Sequence, residues 1–126
     1  MKQKFSTSWK ASIKPNKQRK YRYAAPLHIK KNFVHAHLAK ELRKKYKKRA
    51  VSLRKGDKVK IMIGSFKKTE GKVDRVDLKK TRVYVSGVEK TKKDGSKRML
   101  PLNPSNLMII ELNLEDKKRQ SILERK

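Results

Sequence analysis

Residues 1–50 hold 17 Lys or Arg and a single carboxylate, Glu41, for a local charge of +16. A segment so one-sided resists collapse onto itself, because its cations repel and almost no acids offset them. Residues 51–126 carry 21 basic and 10 acidic side chains, for +11. The total of +27 on 126 residues calls for a polyanionic partner. Nucleic acid is the first expectation, since Lys and Arg gain affinity by releasing its condensed counterions. An anionic membrane would be met by a basic amphipathic helix with a wide apolar face, and no good one is visible. Solubility alone needs a net charge of only ~2–8 in a small domain.

Several classes are excluded at once. At this length one small domain with basic extensions fits, and two large domains do not. There is no cysteine, hence no disulfide framework, thiol catalysis or zinc ribbon. The longest apolar run, Leu107-Met108-Ile109-Ile110, falls far short of the ~20 residues that span a bilayer. No apolar stretch follows Met1-Lys2, so no secretory signal is expected and the location is expected to be cytoplasmic.

Met1 to Tyr23 shows no sustained periodicity and reads as an extended arm that orders on a polyanion. Phe5, Trp9, Tyr21 and Tyr23 are interleaved with its cations. Aromatic faces stack on unpaired bases or pack on the protein itself, and the residues alone leave both open. Pro26 opens a short helical turn over Leu27–Asn32. Leu38, Leu42 and Tyr46 fall four apart and predict a helix over Leu38–Lys48.

From Val51 apolar and polar residues alternate. Val59, Ile61 and Ile63 share one face of a strand that Gly64 ends. The strand Glu70–Asp77 breaks period 2 between Val73 and Val76, which predicts a bulge. Arg82–Val85, a hairpin of Val88–Lys92 with Lys97–Leu100, and a buried strand Asn106–Leu112 follow. Short strands with tight turns predict a mainly β fold built on a small β-barrel. The expected organisation is a basic N-terminal extension with short helices (1–50), a barrel (51–112) and a C-terminal helix (113–126). Asn113 is expected to cap that helix, with Ile122 and Leu123 docking back. The 22 apolar side chains of residues 51–112 make a core worth only ~3–5 kcal/mol, so binding is expected to add stability.

Other chemistry is not expected. His35 and His37 stand two apart, a spacing for a strand and not for a helical metal site, and His28 brings no acidic partner. Asp74 and Asp77 turn to opposite faces of a regular strand and make no acid–base pair. No phosphate-binding loop of the Gly-x-x-x-x-Gly-Lys-Ser/Thr type occurs. We therefore expect no enzyme, cofactor, metal, small-molecule substrate or homo-oligomer.

The most informative stretch runs from Lys55-Gly56-Asp57 through Gly64-Ser65-Phe66-Lys67-Lys68-Thr69-Glu70-Gly71 to Lys72-Val73. It resembles the KOW motif: strand, glycine turn, basic loop, glycine, strand. Gly64 and Gly71 are its turn glycines, placed where positive φ or close backbone approach is wanted. The segments Ala25-Pro26-Leu27-His28, Leu38 to Tyr46, Asn103-Pro104-Ser105-Asn106-Leu107 and Ile122 to Lys126 flank it in order. Together they resemble the large-subunit ribosomal protein L-twenty-four family, in its archaeal and eukaryotic branch (L-twenty-six in eukaryotes). The resemblance runs from about residue 15 onward, and the ending at Glu124-Arg125-Lys126 looks archaeal. One departure is visible: the family usually has Phe-Lys-Gly in the loop, and Lys68 stands at that glycine.

The resemblance implies an SH3-like barrel that binds large-subunit rRNA early in assembly, near the peptide exit tunnel. The partners implied are that rRNA and neighbouring ribosomal proteins, and the 88–100 hairpin would be the family's projecting one. The cations themselves point to phosphate contacts at Lys17, Arg19, Lys20, Arg22, Lys30, Lys31, Arg43, Lys44 and Lys48. On the barrel Arg54, Lys67, Lys68, Lys72 and Arg82 join them. Two rival readings are a KOW module docking on RNA polymerase and a DNA-compacting protein. The first wants an additional αβ domain for which the chain lacks length, and the interleaved aromatics argue against the second.

Overall fold

The computed structural model describes residues 4–125. Met1 to Gln3, at the head of the expected arm, and Lys126, at the end of the expected C-terminal helix, lie outside them. The segment expected as an extended arm is folded. Its 3-10 turn Thr7–Ala11 leads to helix α1, Pro15–Ala24. Pro15 occupies the first turn, where its missing N–H costs nothing and its φ is already helical. Lys, Arg and Gln, all good helix formers, fill the middle. Gln18 donates from Nε2 to the carbonyls of Ser12 (2.7 Å) and Lys10 (3.0 Å), tying the helix to the turn before it. Tyr21, the one buried residue of α1, stacks on Phe5 at 5.4 Å and meets Phe33 edge-on at 5.9 Å. Helix α2 spans Leu27–Phe33.

Strand β1, His35–Leu38, ends on Leu38, the residue at which a helix was expected to begin. Ala36 and Leu38 point into the core while His35 and His37 are half-buried, which is strand alternation. The Leu38 amide donates to Arg49 O (3.1 Å) and that of Ala39 to Ile109 O (2.9 Å). Helix α3 is consequently only Lys40–Tyr46, and Leu42 and Tyr46 alone of the expected stripe pack down from it.

The remaining strands are β2 (Ala50–Ser52), β3 (Lys58–Ile61), β4 (Glu70–Asp77), β5 (Arg82–Val85), β6 (Glu89–Thr91), β7 (Lys97–Met99) and β8 (Leu107–Glu111). Six of the eight strands, β1 included, form one sheet in the order β2-β1-β8-β3-β4-β5, and β6 pairs only with β7. β1 and β8 run parallel; the other neighbours are antiparallel. β2 and β5 end this order without pairing with each other, so the sheet is not closed, and beyond β5 there is only a single bridge from Leu102 to Val83. The chain is mixed helix and sheet, where a mainly β fold was expected. The first fifty residues supply three helices and β1, so the change in charge near residue 50 is not an edge of the sheet.

Alternation builds the core. Val59 and Ile61 of β3, Val83 and Val85 of β5, and Leu107 and Ile109 of β8 are almost wholly buried, each stabilising by ~1.5–3 kcal/mol. Ile63 does not join them: β3 ends at Ile61 and Ile63 stands 62% exposed in the following turn. The expected bulge is present, as a register shift between Val73 and Arg75 against β5.

The end of the chain is pinned from within. Asp57, completely buried, accepts from Arg119 Nη1 (2.6 Å) and Nη2 (2.7 Å) and from the amides of Arg54 (2.8 Å) and Asn113 (3.0 Å). Arg119 lies on helix α4, Lys117–Glu124. The cap of α4 is Asp116, which accepts from the Lys118 amide at 2.7 Å. Asn113, the expected cap, instead accepts from the Glu115 amide in its own local turn. Leu123 docks into the core, whereas Ile122 remains 44% exposed.

Candidate nucleic-acid interface

Most of the positive charge is left uncompensated. Among the described residues there are four ion pairs: Arg54–Asp116, Lys58–Glu111 (3.2 Å), Lys60–Glu70 (3.4 Å) and the buried Arg119–Asp57. None involves a residue before Arg54. Among the described residues, the cations of the first fifty positions are therefore not paired with acids.

Helix α1 exposes Lys17, Arg19, Lys20 and Arg22. Arg19 donates to Asn16 Oδ1 (2.9 Å), and the Arg22 guanidinium lies over Phe33, 5.7 Å from its ring centroid. The two fates left open for the aromatics divide between residues. Phe5, Trp9 and Tyr21 pack on one another, while Tyr23 stands 86% exposed beside Arg22. On the next elements Lys31 and Lys44 are exposed. Three other cations brace the fold through carbonyls: Lys30 to Lys79 O (3.1 Å), Arg43 to Leu38 O (2.7 Å) and Lys48 to Ile122 O. These bonds hold α2 and α3 against the rest of the molecule.

Arg54 is set apart from this surface by its pairing with Asp116. Hydrogen bonds from Arg54, and then from the Lys118 amide, hold the Asp116 carboxyl below its ordinary pKa. Arg54 lines a groove of about 720 Å³ that Lys31 also borders. Lys55, Arg75 and Arg119 line it too, but Asp74, Glu115 and Asp116 stand in the same wall and offset part of that charge.

The loop of the KOW-like motif is compact. Phe66 packs against the core and anchors it, leaving Lys67 and Lys68 exposed. Gly64 has φ +104°, and Lys67 donates its amide to Gly64 O at 3.1 Å. Lys68 takes φ +73°, the left-handed conformation that favours glycine. At Gly71 the need is for space: a Cβ there would lie 2.6 Å from Ser86 O. Lys72 is exposed on β4, where its amide donates to Ser86 Oγ. Arg82 is exposed at the start of β5 and comes to a single recess with Arg22, 60 positions earlier.

The cations expected at phosphates leave out the ribbon β6–β7. Lys90, Lys92, Lys93, Lys97 and Arg98 are all exposed on it. Its alternation carries no apolar face, and that was the available signal that it stands apart from the six-stranded sheet. At its turn Ser96 donates from its hydroxyl and its amide to Asp94, lowering that carboxyl's pKa. Among the described residues no group of three or more His, Asp or Glu could hold a metal. No described helix is long and apolar enough to cross a membrane.

Comparison with known proteins agrees with this arrangement. A large ribosomal subunit protein uL24 of Methanosphaera stadtmanae is 47% identical over 115 residues, covering 91% of this chain and 98% of the relative. Another, from Methanothrix thermoacetophila, is 47% identical over 114 residues, covering 90% and 98%. A family model described as the eukaryotic L-twenty-six and archaeal L-twenty-four ribosomal proteins matches residues 12–126. With that match over nearly its whole length, the chain belongs to this family of ribosomal proteins, L-twenty-six in eukaryotes and L-twenty-four in archaea.

Proposed function

We propose that the protein is a structural, non-enzymatic constituent of the large ribosomal subunit that binds large-subunit rRNA through its phosphates, early in assembly and near the peptide exit tunnel. The observation that carries the reading is the absence of ion pairs, among the described residues, throughout a stretch bearing +16. The names of the archaeal relatives support the large subunit as the site of action. Lys17, Lys20, Lys31, Lys44, Lys67, Lys68 and Lys72 are the exposed lysines we assign to phosphates, positioning the protein without reading sequence. Tyr23 offers a face on which an unpaired base stacks. We read β3, bulged β4 and β5, with β8 beside β3, as the SH3-like unit of the family. Support comes from Leu102, which returns alongside β5 and exchanges two hydrogen bonds with Val83.

Sucrose-gradient fractionation of a cell lysate tests the proposal. The protein should travel with the large subunit and remain there after a high-salt wash. Travel with RNA polymerase or with chromosomal DNA would refute it.

A further inference from the structure

Arg22 lies in the last turn of helix α1 and Arg82 opens strand β5, yet both line one recess of about 140 Å³ with Phe33, Thr81, Asn103 and Ser105. Among the recesses near the basic N-terminal helices it is a small one, of a size that admits a phosphate group. No carboxylate lines the recess, in contrast to the larger groove with its three acids. Asp77 stands opposite Arg82 in the strand register, but its carboxylate accepts from the Lys80 amide at 3.0 Å and forms no ion pair with Arg82. Neither guanidinium has a hydrogen-bond partner among the described residues. The Arg22 guanidinium lies over Phe33, 5.7 Å from the ring centroid, a cation–π contact that favours this placement of the side chain.

The rim shows the same preparation. Asn103 accepts from the Ser105 amide, which fixes the turn that presents both polar side chains. Thr81 is β-branched and nonetheless held at φ +52°. Such strain persists only where surrounding structure over-determines it, and it gathers at binding sites. Two unpartnered guanidiniums facing one small space repel until an anion enters.

We propose that this recess is a single-phosphate clamp: one backbone phosphate of the RNA sits between Arg22 and Arg82. The clamp rests on the rRNA-binding reading above and adds a specific consequence to it. Arg22 belongs to the N-terminal helices and Arg82 to the sheet, so one phosphate bridges them. Engaging RNA at this point staples the N-terminal helices to the edge strand β5.

The test is a double-mutant cycle on the full chain, binding a transcript of large-subunit rRNA from an archaeal relative over a range of salt concentrations. Each of Arg22→Ala and Arg82→Ala should weaken binding about tenfold and lower the salt slope by about one unit. If one phosphate is shared, the double variant loses clearly less than the product of the two, and its slope falls by one unit and not two. Both side chains are exposed, and far-UV circular dichroism of each variant should match the parent. Multiplicative losses with a two-unit slope change would mean two separate phosphates and would overturn the clamp alone. So would single variants that bind as tightly as the parent. A parent protein that does not bind the transcript would overturn the rRNA reading as well.

Discussion

At the scale of single residues, Lys68 joins two opposed demands. Its left-handed backbone costs an L-residue ~1–2 kcal/mol, part of which glycine would return as greater freedom of the unfolded chain. The side chain is exposed at the tip of a rigid loop, where a cation gains most from phosphate. Lys68→Gly should therefore raise stability by ~0.5–1 kcal/mol, read from the urea midpoint. The same variant should bind rRNA more weakly, with a salt slope shallower by up to one unit. A variant that loses stability would show that the side chain, not the backbone, holds the loop. Gly71 is fixed for a different reason. The Ser86 carbonyl fills the place of its Cβ, so even alanine would push β4 from β5.

Among the elements, helix α4 depends on one buried contact more than on its own sequence. At eight residues it is too short to persist alone in water. Arg119 and Leu123 are its only buried side chains. Asp57→Asn would leave the Arg119 charge buried without a counterion, at a cost of ~3–5 kcal/mol. We expect α4 amides to lose hydrogen-exchange protection and the melting temperature to fall well below the parent's; unchanged protection would remove the pair from this role. The elements also differ in how plainly they can be read from sequence. The β4 bulge was legible because two valines three apart cannot share a regular strand face. Strand β1 was not, because Leu38, Leu42 and Tyr46 make a helical stripe that overrides four residues of alternation. The spacing of His35 and His37 was the signal that favoured a strand. Helix α1 was hidden because its one buried residue, Tyr21, is satisfied by aromatic partners at positions 5 and 33, which no local period reveals. At the candidate site, exposed cations were legible as a class. Their sorting into free, carbonyl-bound and acid-paired groups was not, since Arg54 meets Asp116 across 62 positions.

Across the whole molecule, +27 and a single small core work against each other. Screening by salt weakens the repulsion between exposed cations and leaves buried contacts nearly untouched. Scanning calorimetry of the free protein should show a melting temperature that rises from dilute buffer to molar salt, and rises further when rRNA is added. A melting point indifferent to both would mean that repulsion is not what limits stability. The position of β8 has a consequence in time. It is the last strand in the sequence, yet it lies in the middle of the sheet, between β1 and β3. Until residues 107–111 have been synthesised, β1 with β2 and β3 with β4 and β5 are two pieces with no shared edge. A chain grows at ~5–20 residues per second, so the N-terminal helices stand free for several seconds before the sheet can join. During that interval the most basic part of the molecule is already made and still unattached, available to a polyanion before the fold that will carry it is complete.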